Sequence, residues 1–290
     1  MSAVEVFRLH PALLYAVAAL VGLVVGSFLN VVIHRLPKMM ERDWKQDCRA
    51  LLELGPGPSP GERLNLVRPG SRCPHCGHAI GVLENIPVLS WIALRGRCSA
   101  CRAPIGLRYP VVEIAAAALT VAVAWHFGAV PQALAAVALS WALIALTAID
   151  LDCQLLPDDI TLPFLWLGLI LNLFGMFTNL PSAVLGAVAG YLLLWSVYMA
   201  FKALTGKEGM GHGDFKLLAM LGAWTGWQML PLIIILSSVV GSIVAIGLLI
   251  RGHERSRPIP FGPYLAAAGW IALLWGEPIT AAYLRWAVSA

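Results

Sequence analysis

Seven acidic residues fall between positions 110 and 250, and two of them stand where a carboxylate is hard to explain as scaffolding. Asp150 closes a long apolar run, at the helix end where the macrodipole disfavours negative charge. Asp214 opens another apolar run directly after Gly209-Met210-Gly211-His212-Gly213, and three glycines in five residues let a second backbone approach closely. An N-cap role would account for Asp214 alone, but not for the pair. Acidic groups at the hydrocarbon edge are costly and usually functional. Two carboxylates on separate helices, brought together at one membrane face, are the minimum apparatus for aspartic-type peptide hydrolysis. Like charges at close range do not both ionise, so such a pair holds one proton. The ionised member takes a proton from the attacking water, and the protonated member hydrogen-bonds the scissile carbonyl oxygen. No metal or nucleophilic serine is required. A peptide bond reached there belongs to a membrane-anchored chain cut just outside its span.

A second set of residues points to a metal. Cys73-Pro74-His75-Cys76 and Cys98-Ser99-Ala100-Cys101 form two C-x-x-C pairs with 21 residues between them, close to zinc-ribbon spacing. Four thiolates make a closed, structural zinc site; redox pairs or idle thiols are the alternatives. Cys48 and Cys153 stand alone and read as unliganded.

The elements that must position these groups are membrane helices. Of 290 residues, 59% are hydrophobic and 12% charged, and the mean hydropathy is +0.77. That composition lies outside the soluble range. The net charge of +4 does not indicate nucleic acid, because the basic residues are distributed as topology signals. The run from Pro11 to Ile33 lacks a basic n-region and an Ala-x-Ala site, so it reads as a retained span. Residues 37–109 carry 11 of the 20 Lys and Arg, which places this segment in the cytoplasm. In that reducing compartment disulfides are disfavoured, and so thin a core makes metal-coupled folding reasonable. Within it, the Pro/Gly run 56–61 separates a helical stretch, about 41–54, from the cysteines.

The expected fold is an all-α polytopic membrane protein of about eight transmembrane helices with a cytoplasmic zinc-binding insertion between helices 1 and 2. Three parts follow: an N-terminal tail and first span over 1–36, the four-cysteine segment over 37–109, and a seven-helix core over 110–290. The later spans are expected at about 111–127, up to Asp150, 160–177, up to Lys202, 215 onward in a short and a longer piece, and 260–275. Asp150 and Asp214 then share the cytoplasmic edge. Asp158 and Asp159, after Pro157, are expected to cap a helix. Glu113 is either a buried, ligand-facing acid or an interfacial residue near Arg108, with the second favoured. A transporter would instead put carboxylates near the midplane of an inverted repeat, and no repeat is visible. A scaffold with a zinc domain would leave Asp150 and the glycines before Asp214 without a role.

At this point the chain resembles a known family. Gly211-His212-Gly213-Asp214 with Asp150 is similar to the GxGD membrane aspartyl proteases. A wider set resembles bacterial prepilin peptidases: the stretch from Gly26 to Pro37, Glu84-Asn85-Ile86-Pro87, Arg108-Tyr109-Pro110, Asp150-Leu151-Asp152, Leu156-Pro157-Asp158 and Pro260-Phe261-Gly262-Pro263. The resemblance implies a bifunctional enzyme of the bacterial inner membrane, with its active site at the cytoplasmic face. It would remove the basic leader of type IV prepilins and type II secretion pseudopilins, then N-methylate the new N-terminus, typically Phe, with S-adenosylmethionine. The catalytic aspartates would be Asp150 and Asp214, whereas His212 occupies a variable position. The cysteine segment and a glycine falling on Gly96 would belong to methyl transfer, although relatives often have a glycine where this chain has Arg95. Membrane lipid is the remaining partner. The methyl donor cannot be read from the residues themselves, which contain no Rossmann-type glycine fingerprint.

Overall fold

Backbone groups inside hydrocarbon find no water, so an apolar chain closes its hydrogen bonds within helices. The computed structural model describes residues 3–54, 65–251 and 259–289. Its helices are α1 (Ala3–Leu9), α2 (Pro11–Leu51), α3 (Leu89–Ala93), α4 (Arg108–Phe127), α5 (Pro131–Cys153), α6 (Asp158–Leu173), α7 (Leu180–Thr205), α8 (His212–Thr225), α9 (Leu230–Ile250) and α10 (Gly262–Ser289). The only extended pairings among the described residues are two isolated antiparallel bridges, Arg72 with Ala79 and Arg97 with Pro104. The all-α membrane fold is as expected.

The eight expected spans take a different form. Among the described residues six helical stretches are long and apolar enough to cross a membrane: α2, α4, α5, α7, Trp227–Ile250 and Gly262–Val288. The other two, α6 and α8, have 16 and 14 residues, short of the roughly 20 that a hydrocarbon core requires. Helix α2 also continues through Pro37 to Leu51, joining the first span to the stretch expected to follow as a separate helix. One proline removes one backbone donor. The residues beyond it favour helix, and Glu41 pairs with Lys45 one turn on at 2.5 Å. The Pro/Gly run 56–61 lies outside the described residues.

The chain divides into two compact units, Met1–Ala145 and Leu146–Ala290, with α5 continuous through the division. In the first, α2 packs on α4 at backbone range: a Cβ on Gly22 would lie 2.6 Å from Ala117 Cα, and one on Gly26 would lie 2.7 Å from Glu113 Cα. Asn30 Nδ2 donates to the Tyr109 carbonyl at 3.1 Å, tying the same two helices together.

In the second unit α8 is the core. Every residue from Leu217 to Trp224 is buried. Gly186 and Gly222 bring α7 and α8 into backbone contact, each standing where the other would place a side chain. Against α6, the Trp224 indole donates from Nε1 to the Phe164 carbonyl at 2.8 Å, and Gly168 leaves room for its ring. Asn172 finishes the helix end, donating to the Ala223 and Trp224 carbonyls and accepting from the Phe177 and Thr178 amides. A helix only 14 residues long is thereby held rigid on several sides, and it carries Asp214 in its first turn.

Candidate active and metal sites

Asp150 lies in the last turn of α5, where its own helix gives it no electrostatic support. The start of α10 supplies that support: the Gly262 amide donates to Asp150 Oδ2 at 3.0 Å. The first amides of a helix have no partner within it and carry partial positive charge, so the N-terminus of α10 is a natural seat for a carboxylate. Asp150 is 5% exposed and Asp214 is 7% exposed. Asp214 is not the cap of α8, a position held by Gly211.

The two aspartates are brought together around Leu156. A Cβ on Gly213, beside Asp214, would fall 2.8 Å from Leu156 Cβ. One on Gly262, beside Asp150, would fall 3.2 Å from Leu156 Cδ2 and 2.6 Å from Asp150 Oδ2. Two glycines therefore clasp one buried leucine, each next to one of the carboxylates. Asp158 does not cap α6. Pro157 holds the cap position, and Asp158 accepts both contacts of Lys216 Nζ, at 2.8 and 2.7 Å, fixing the start of α6 to the first turns of α8. His212 packs its ring against Tyr198 and Phe215.

The four cysteines of the two C-x-x-C pairs converge in the first unit. Their sulfurs all lie within 4.8 Å of one another, and Cys73 and Cys101 are 3.8 Å apart. A tetrahedral site with metal–sulfur bonds of about 2.3 Å has edges of about 3.8 Å, so these dimensions fit a four-thiolate metal site and are far too long for disulfides. Each pair sits on the same kind of turn. The Cys73 amide donates to the His78 carbonyl and the Gly77 amide to the Cys73 carbonyl; the Cys98 amide donates to Ala103 and the Arg102 amide to Cys98. Backbone N–H groups of Cys76 and His75 hold the Cys73 thiol down to about 6, and those of Cys101 and Ala100 lower Cys98 in the same way. Glu84 accepts from the Ser99 hydroxyl, the Gly81 amide and His78, which together hold its carboxyl down to about 2. Cys48 and Cys153 are exposed and lie outside the cluster.

Between this knot and helices α2 and α4 lies a cavity of about 410 Å³. Glu113 lines it and is 7% exposed, so the interfacial reading of this residue is wrong. Helix α4 is apolar on all sides, so the sequence does not indicate which face meets α2. The Val88 amide donates to Glu113 Oε2 at 2.8 Å. Gly96 lies beside the cavity with φ +65°, and a Cβ there would meet Trp91 Cζ2 at 2.8 Å. Sequence reasoning also missed the role of Gly262, although the Pro-Phe-Gly-Pro run had singled the residue out.

The fold and these sites define a multi-pass helical membrane protein with a buried carboxylate pair and a four-cysteine insertion. Residues 20–127 match the bacterial peptidase A24 N-terminal domain, and residues 137–246 match the type IV leader peptidase family. The chain is 59% identical over 288 residues to a prepilin leader peptidase/N-methyltransferase of Stutzerimonas stutzeri, covering 99% of each chain. Proteins of the same name from Pseudomonas aeruginosa and Dichelobacter nodosus are 60% identical over 279 residues, covering 96% of each chain, and 52% identical over 263 residues, covering 90% of this chain and 91% of the relative. The chain belongs to the type IV leader peptidase family. No solved structure matches it significantly.

Proposed function

We propose that this protein is a bifunctional membrane enzyme that removes the basic leader from type IV prepilins and type II secretion pseudopilins and then N-methylates the exposed N-terminal residue. Asp150 and Asp214 carry the hydrolysis. The observation that carries this reading is their convergence, buried, around Leu156 and between two glycine contacts. One carboxylate activates water and the other, protonated, polarises the scissile carbonyl. The Gly262 amide orients Asp150 throughout. Cys73, Cys76, Cys98 and Cys101 hold zinc, which keeps their segment folded. S-adenosylmethionine supplies an electrophilic methyl group when bound. The protein resides in the bacterial inner membrane among its lipids, with both activities at the cytoplasmic face.

Vesicles made with the cytoplasmic face outward should shorten an added prepilin peptide and, with S-adenosylmethionine, methylate the product; sealed vesicles of the opposite orientation should do neither. Activity in the opposite orientation alone would overturn the sidedness, and activity in neither would overturn the function.

Gly262→Ala tests the geometry. The position has no left-handed backbone requirement, yet the new methyl must displace Asp150 Oδ2 or Leu156. A displacement on the ångström scale typically lowers rate by about 100-fold, so the cleavage rate should fall by roughly that factor with the protein still folded. An unchanged rate would mean that Asp150 does not act from this position.

A further inference from the structure

The cavity beside the cysteine knot has no part in peptide hydrolysis as described. Its volume, about 410 Å³, is that of a small-ligand site. The lining is mixed in a particular way: carboxylates from Glu84 and Glu113, aromatic rings from Trp91 and Tyr109, and amides from Asn30 and Asn85. Glu113 is the most constrained of these. It is buried, its hydrogen-bond partners are the Val88 amide and the Ser27 hydroxyl, and no cation pairs with it among the described residues. A buried carboxylate held by neutral donors calls for a positive partner.

Trp91 is fixed as firmly. Its Nε1 donates to the Ile105 carbonyl at 3.2 Å, and its ring rests against Gly96, where backbone φ is +65° and a side chain would collide with the ring. Gly96 is thus a positioning residue for an indole in the cavity wall. A fixed indole offers a stacking face to a flat base and an attractive one to a cation.

We propose that this cavity binds S-adenosylmethionine, with Glu113 as counter-ion to its positive charge and Trp91 as an aromatic wall. The assignment rests on the methyl-transfer reading above. A flat base, a sulfonium and an amino-acid end in one molecule need an aromatic surface, an anion and a cation, and Arg72 on the same lining provides the last of these.

Equilibrium dialysis of the zinc-loaded full chain against S-adenosylmethionine and S-adenosylhomocysteine tests the assignment, because the second ligand lacks the sulfonium charge. Glu113→Gln should weaken S-adenosylmethionine by about tenfold or more and S-adenosylhomocysteine by less than roughly threefold. Gly106→Phe should weaken both by about tenfold or more while four-thiolate zinc is retained, since Gly106 lines the cavity and a side chain there meets nothing within 4 Å. Wild-type binding that both variants leave unchanged would overturn the cavity assignment and leave the methyl-transfer reading standing. Equal loss of both ligands in Glu113→Gln would overturn its role as counter-ion. A wild-type protein that neither binds S-adenosylmethionine nor incorporates methyl would sink that reading and this inference together.

Discussion

Replacing Asp150 or Asp214 with Asn is expected to lower leader cleavage on the order of 10⁴-fold, the scale seen when one member of a cooperating catalytic group is removed. Asn keeps the volume, and at position 150 its amide oxygen still accepts from Gly262, so packing around Leu156 is preserved. What is lost is the ionisable group. An amide neither takes a proton from water nor offers the acidic O–H that polarises the scissile carbonyl. Neither remaining aspartate can supply both roles, so the two single variants should be about equally inactive. Methylation of an N-terminus already cut should persist within roughly threefold in both, because the cysteine knot and its cavity belong to the Met1–Ala145 unit and both aspartates to Leu146–Ala290. Mass spectrometry of a prepilin and of its pre-cut form, each incubated with the same variants, reads both activities. A variant that keeps more than about one per cent of cleavage would remove its aspartate from the mechanism.

The carboxylate pair was legible because each member sits at the end of an apolar run, a position recorded directly in the chain. Asp150 in particular contradicted its own helix dipole, and the missing compensation proved to be the start of α10. That partner was out of reach for sequence reasoning, since 112 residues separate Gly262 from Asp150 and no local pattern encodes the contact. The cysteine cluster was legible for the opposite reason: paired C-x-x-C spacing is local, and each pair builds its own turn. Glu113 was misread because an acid within an apolar run carries no mark of which face it occupies. Its burial depends on Gly26 of α2 approaching the α4 backbone. Asp158 was misread because a good cap residue next to a proline looks local, whereas Lys216, 58 residues away, claims it. The first span and the helical stretch at about 41–54 were read apart, whereas strong helix formers after Pro37 carry α2 through to Leu51.

Disrupting the four-cysteine knot should separate the activities in the other direction. Between residues 65 and 107 the regular structure amounts to a three-residue turn of 3₁₀ helix, Leu83–Asn85, and the five-residue α3. Too little apolar surface is available there to fold the segment unaided. Cys73 and Cys98 are its buried anchors, at 8% and 6% exposure, and both line the cavity. Structural zinc contributes on the order of 10 kcal/mol to such small sites, far more than one missing ligand leaves available. Cys73→Ser or Cys98→Ser should therefore abolish stoichiometric zinc, raise amide exchange across 71–106, and lower methyl transfer by about 100-fold or more as the cavity loses its cysteine-bearing wall. Cleavage should stay within roughly threefold of wild type, because the elements around Asp150 and Asp214, including α8 and its seats on α6 and α7, contain none of the four ligands. Zinc content, exchange and both activities measured on the same preparations distinguish the outcomes. Zinc-free variants with full methyl transfer would detach the cysteine knot from that reaction. A joint loss of cleavage would instead mean that the knot holds α2 and α4 in a geometry the peptidase also needs.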